Sequence, residues 1–200
     1  MKRKIALIMA TMLTAAAIAP CAYAEAETEA VPGSTADFPI AFDYHDIDPD
    51  VYEGAWVSTG LGFDLYLPSD WVLTDISDEE AAAGLVFRAG EEGGGANVCV
   101  TCTAIPEEAV DTYDLEALKA ELDATVSEAF FLDLNGIPAV GFDSDETHLS
   151  GFSILPGDGT LIQGVVAPPS DEEYEAFTPY FQNIFMSVSP TEEAETEAAE

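Results

Sequence analysis

Between residues 54 and 167 the chain repeats one pattern: a short apolar or β-branched run, a glycine-rich turn, then a second such run. An antiparallel sheet assembled from hairpins is the architecture that suits it. Residues 55–59 and 63–67 flank Gly60-Leu61-Gly62; in the second run Phe63, Leu65 and Leu67 share one face, and Asp64 and Tyr66 the other. Residues 85–88 and 97–105 flank a turn that runs from Gly90 to Gly95. Residues 129–134 and 137–142 straddle Asn135-Gly136, the strongest two-residue hairpin signal in the chain. Residues 149–155 and 160–167 straddle Pro156-Gly157-Asp158-Gly159.

Helical spacing occupies the gaps. Asp114 is a candidate N-cap, followed by Leu115, Leu118, Leu122 and Val126 on one stripe, with Lys119 off it and within reach of Glu116 and Asp123. Ser77 and Glu80 have capping-box spacing and predict one or two helical turns, and Ser170 and Glu173 repeat that spacing. Tyr174, Phe177, Phe181, Ile184, Phe185 and Val188 then share a helical face, which Thr178-Pro179 kinks or restarts. The expected class is α+β: about eight strands in a central, mostly antiparallel sheet with helices on both faces, an α/β/α sandwich.

The two ends read differently. Lys2-Arg3-Lys4, an apolar stretch from Ile5 to Ile18 and Ala22-Tyr23-Ala24 have the grammar of a signal peptide over residues 1–24, cleaved after Ala24; acylation of Cys21 is the alternative. Residues 25–53 hold nine acids and no Lys or Arg, and read as an acidic linker with room for a short strand near 38–44. Glu25-Ala-Glu-Thr-Glu-Ala30 recurs as Glu193-Ala-Glu-Thr-Glu-Ala198, so residues 190–200 read as a second solvated acidic segment. One domain, residues 54–189, remains between them, and the product is expected to be extracytoplasmic and monomeric.

Charge removes whole classes of function. Beyond residue 24 the chain has 39 acids against two cations, Arg88 and Lys119. Two cations cannot build a phosphate-neutralising patch, which excludes ordinary nucleic-acid binding and argues against adhesion to anionic membranes. A basic or neutral protein is the partner class left.

Few residues offer chemistry. Cys99-Val-Thr-Cys102 has C-x-x-C spacing but lies in a β-branched run. Strand geometry there sends the two thiols to opposite faces, about 10 Å apart at Cα, beyond the roughly 7 Å limit for a disulfide. A bridge across a bulge and a redox site are the alternatives. His45 and His148 are the only histidines, and no G-x-S-x-G elbow accompanies them; Ser150, two residues after His148, faces the same way along the strand without an evident activated geometry. Asp46-Ile-Asp-Pro-Asp50 has calcium-loop spacing but lacks the glycine and the glutamate an EF-hand requires. Asp143, Asp145 and Glu146 are the candidate metal ligands, for calcium, set against the reading that they form a solvated acidic loop. No organic cofactor is expected. Trp56, Phe63, Tyr66 and Trp71 are either core or a ligand platform. Arg88 is expected to pair with a carboxylate.

Gly62-Phe-Asp-Leu-Tyr-Leu-Pro-Ser-Asp-Trp71 resembles the opening of the PsbP-like domains, and the last helical segment, ending Ile184-Phe-Met-Ser-Val188, is similar to that family's last helix. The resemblance covers about residues 54–189. It implies an α/β/α sandwich and a binding or assembly module in place of an enzyme, and it transfers no contact residue. The chain is accordingly expected to be a secreted, acidic, non-enzymatic binding or assembly module, with an extracellular calcium-binding protein as the alternative and an enzyme with an unfamiliar site as the third reading.

Overall fold

The computed structural model describes residues 38–191. The signal segment, Cys21, most of the acidic linker and the acidic end beyond residue 191 lie outside them. The strands are β1 (Ile40–Phe42), β2 (Gly54–Ser58), β3 (Phe63–Pro68), β4 (Val72–Leu73), β5 (Leu85–Gly90), β6 (Asn97–Ala104), β7 (Glu128–Leu134), β8 (Ile137–Ser144), β9 (Leu149–Ile154), β10 (Thr160–Ala167) and β11 (Ser189–Pro190). Three helices, α1 (Asp78–Ala82), α2 (Leu115–Asp123) and α3 (Thr178–Ser187), lie among them.

The main sheet has the order β1-β7-β8-β9-β10-β6-β5-β4. Every pairing in it is antiparallel except β1 with β7. All four expected hairpins form. At the tightest, Asn135 and Gly136 both take positive φ, 53° and 88°, as the two-residue turn requires. Gly136 supplies that conformation without a Cβ clash, and Asn135 is among the few other residue types that tolerate it.

The first hairpin does not join this sheet. β2 and β3 pair with each other, and β3 pairs with β11 on its other side, giving a separate three-stranded sheet in the order β11-β3-β2. Its inner residues Phe63, Leu65 and Leu67 are buried in one cluster with Val98, Val100, Leu132, Phe152, Ile184 and Phe185. α3 and the small sheet therefore share one face of the main sheet. A second cluster joins Leu118 and Leu122 of α2 to Ala129, Val140 and Phe142. Alternate residues of the same strands feed the two clusters, such as Phe131 against Leu132 and Val165 against Val166, so the clusters lie on opposite faces of the main sheet.

Three boundaries differ from the sequence reading. Residues 38–53 are not all linker: besides β1, which lies where a short strand is expected, Tyr52 is 8% exposed within the main cluster. α2 stops at Asp123, with Ala124 as its C-cap. The segment from Ser170 is two 3₁₀ turns, Asp171–Glu173 and Glu175–Phe177, and α-helix begins only at Thr178 with Pro179 in its first turn. Pro179 has no N–H to donate to a carbonyl four residues back, so a continuous α-helix across it would lose a bond. Ser170 bonds the Glu173 side chain at 2.7 Å but makes no backbone cap. At α1, by contrast, the Ser77–Glu80 capping box is complete.

Glu80 also accepts from Arg88 at 2.6 Å. The guanidinium, helped by the Ser77 backbone and hydroxyl, holds the Glu80 carboxyl at about 2, against an ordinary 4.5. Because the folded value is depressed, the pair's contribution is present above pH 4.5 and is lost as pH falls towards 2. The Glu80 side chain is 40% exposed, so screening limits the effect to below about 1 kcal/mol. Glu80→Gln is expected to lower the melting temperature slightly at neutral pH, and the gap to the parent should close on acidification towards pH 2. A gap that persisted unchanged at the acid end would reject the assignment.

Candidate functional site

The C-x-x-C cysteines are not joined in a disulfide, and both are buried. Cys102 packs in the main cluster with Val100 and Val98, two and four residues back, so Cys99 faces the other way. Burial pushes the Cys99 thiol up, against a smaller downward pull from Arg88. A raised thiol pKa in a strand is the opposite of what a redox pair needs.

The histidines sit apart from any activated hydroxyl. His45 Nδ1 lies 2.7 Å from Asp43 on an exposed turn. His148 closes the β8–β9 turn with φ 53°, its Nδ1 3.6 Å from Asp171 and its ring 5.4 Å from that of Tyr174. Ser150 donates to Asp143, its cross-strand neighbour, so its proton is committed to a carboxylate and not to an imidazole.

The candidate calcium ligands are not assembled. Asp143 is half-buried at the end of β8 and takes the Ser150 hydroxyl, while Asp145 and Glu146 are exposed in the turn that follows. Asp145 is held by its backbone N–H, which donates to Ser127 Oγ at 2.8 Å. Among the described residues no three of His, Cys, Asp and Glu are grouped to hold a metal ion.

The aromatic group noted in the sequence divides. Phe63 is core, at 2% exposed. Trp56 stands on the outer face of the small sheet, 49% exposed, directly opposite Tyr66 and 5.6 Å from its ring. Tyr44, also exposed, meets Trp56 edge-on. From Tyr66 the rings continue inward through Tyr52 (5.8 Å) to Tyr180 (5.1 Å), both nearly parallel stacks. Tyr52 donates to the Tyr66 carbonyl at 2.9 Å, and burial pushes its phenol well up, so it stays neutral.

Where this run reaches Tyr180, a cleft of about 350 Å³ opens beside α3, among the loops before β2, after β3 and after β5. Val51, Tyr52, Glu53, Pro68, Ser69, Asp70, Trp71, Glu91 and Tyr180 line it. Local structure sets its walls. The chain turns after β3, with the Ser69 N–H donating to the Glu53 carbonyl at 2.9 Å and the Trp71 N–H to the Pro68 carbonyl at 3.0 Å. Glu91 follows β5 and closes its hairpin turn by donating to the Ala96 carbonyl. Trp71 is half-buried, part wall and part core. Three aromatic residues and three exposed acidic residues therefore line one concavity. Trp71 is legible in the sequence; Tyr52, Tyr180 and the three acids are not, because no local spacing connects them.

No protein-family model matches the chain, and no curated protein matches it. Among solved structures, the chain is similar to the solution structure of cyanobacterial PsbP (CyanoP) from Synechocystis sp. PCC 6803. The match has a TM-score of 0.50 at 15% identity and covers 68% of this chain and 92% of that one. The fold is PsbP-like. At that identity the likeness concerns the path of the backbone, and the PsbP-like scaffold here carries its own surface: the Trp56 face, the cleft and the acid excess.

Proposed function

We propose that this chain is a secreted, non-enzymatic binding or assembly module whose partner is a basic protein. The observation that carries the reading is the balance of charge around the exposed aromatics. Arg88 and Lys119 are the only Lys or Arg among the described residues, and each is already ion-paired, with Glu80 and Asp123 respectively, at 2.6 Å. The remaining carboxylates have no Lys or Arg of the described chain to meet. A field of one sign steers partners of the other sign and raises association rates, and half-exposed Trp and Tyr are the residue types that anchor interfaces. The buried, unactivated thiol and the Ser150–Asp143 bond favour binding over catalysis.

Affinity capture from the producing cell's envelope, at low salt and at about 0.5 M salt, tests the reading, since screening shortens the reach of surface charge to a few Å. The expected result is a partner retained at low salt, released at high salt, and retained less well by Trp56→Ser. Absence of any salt-sensitive partner would overturn it. For the calcium alternative, calorimetry is expected to give weak, diffuse heat; saturable stoichiometric heat abolished by Asp143→Asn would replace the present reading.

A further inference from the structure

We infer that the partner docks by adding an extended strand to the open edge of β2, so that the small sheet becomes four-stranded. The inference rests on the proposed docking of a basic protein and names its mode. β2 pairs only with β3, and the hydrogen-bonding phase between them is fixed at both ends. The Thr59 N–H donates to the Phe63 carbonyl at 3.2 Å, and the Ser69 N–H to the Glu53 carbonyl at 2.9 Å. In an antiparallel pair the backbone groups of alternate residues turn to the same side. Residues 53, 55, 57 and 59 therefore face β3, while Gly54, Trp56 and Ser58 face away from it. The first N–H of that outward row agrees: Gly54 donates not to β3 but to the Tyr66 hydroxyl, at 2.9 Å. The N–H and C=O groups of Trp56 and Ser58 have no partner among the described residues.

Edge strands invite pairing, and proteins blunt them with short length, proline, lysine or a bulge. The other three edges among the described residues are short, β1 with three residues and β4 and β11 with two each. β2 is five residues long, with no charged residue, no proline and an unbroken register. Trp56 stands on this strand half-exposed, with Tyr44 edge-on to it, as an anchor for a side chain of the incoming strand. Charge selects the occupant. A second copy of this chain is disfavoured, since beyond residue 24 each copy has 39 acids against two cations. On the outer face, Asp64 lies directly opposite Ser58. It is two strand spacings, about 10 Å, from an added strand, a span that an extended lysine or arginine and the carboxylate cover together.

The test titrates an acetylated, amidated nonapeptide alternating lysine with threonine into the full chain at low salt, followed by calorimetry and by amide exchange. The expected result is saturable binding that slows exchange at Trp56 and Ser58 far more than at Ala55 and Val57, whose N–H groups already face β3. The same peptide methylated at every backbone nitrogen keeps its charge but cannot donate to a strand, and is expected to bind at least about tenfold more weakly. Ser58→Pro is expected to weaken the unmethylated peptide similarly, since proline removes an N–H that the added strand needs and that β3 does not use. Equal affinity for the methylated peptide, or protection spread over the acidic surface without favouring Trp56 and Ser58, would overturn the inference; both readouts use the parent chain and stand whether or not Ser58→Pro folds. A salt-sensitive partner retained equally by folded Ser58→Pro would overturn the added strand while leaving the docking proposal standing. Peptide binding at the edge without any salt-sensitive partner would remove the docking proposal and leave the edge.

Discussion

Gly151→Val is expected to destabilise the protein by about 3 kcal/mol or more, enough to unfold a domain of ordinary stability at moderate temperature. Gly151 lies in β9, at the middle of the main sheet, directly opposite Phe142 of β8. A Cβ there would run into Cζ of the Phe142 ring and stand 2.7 Å from the Gly164 carbonyl. Phe142 cannot yield: it is 2% exposed and packed under Leu118 and Leu122 of α2. The pairing is not isolated. A Cβ on Gly164 would meet the Phe152 ring on the other face, and one on Gly141 would meet Phe130 and Leu132. The central strands thus use glycine where a neighbour's ring lies flat across the sheet. Denaturant unfolding measures the effect, and Phe142→Ala provides the cross-check: in the Gly151→Val background it should cost much less than in the parent, since the new methyl groups fill the vacated space. Additive costs would show that the clash is not with Phe142.

Asn135→Ala is expected to cost about 3–4 kcal/mol. The Asn135 side chain ties three elements together. Its Oδ1 accepts from the Tyr44 N–H at 2.7 Å, and its Nδ2 donates to the carbonyls of Met186 and Val188, each at 2.7 Å. Those two carbonyls lie at the end of α3, where helical carbonyls lack partners of their own. Three bonds at about 1 kcal/mol each, together with roughly 1 kcal/mol for placing alanine at φ 53°, give the figure. Asn135→Gly separates the terms: it loses the bonds but keeps the turn, and should be less costly than alanine by about 1 kcal/mol. Equal denaturation midpoints for the two variants would show that the backbone conformation contributes nothing.

The second role of Asn135 is not visible in the sequence, although its place in a turn is. Asn135-Gly136 announces a hairpin because two adjacent residues able to take positive φ are enough to specify one. That the same asparagine also caps α3, some fifty residues onward, follows from no local pattern. Arg88 was expected to meet a carboxylate because acids surround it in number; that the partner is Glu80, the capping residue of α1, depends on β5 running past that helix. The Ser170–Glu173 spacing failed as a helix signal because Pro179 governs where α-helical bonding can begin. Asp143, Asp145 and Glu146 are close in sequence, and the fold holds Asp143 on Ser150 at the end of β8 and places Asp145 and Glu146 in solvent in its turn.

The amino-acid order alone determined the hairpins, their turns, the faces of each strand and the acid surplus, since backbone preference, side-chain alternation and charge are properties of neighbouring residues. The tertiary structure alone decided that the first hairpin leaves the main sheet to form a second one with β11, that Tyr52 belongs to the core, and that Glu53, Trp71, Glu91 and Tyr180 share a cleft. An alternating strand states that one face must be buried but not what will bury it; that choice is made by how apolar volumes distant in sequence fill space together.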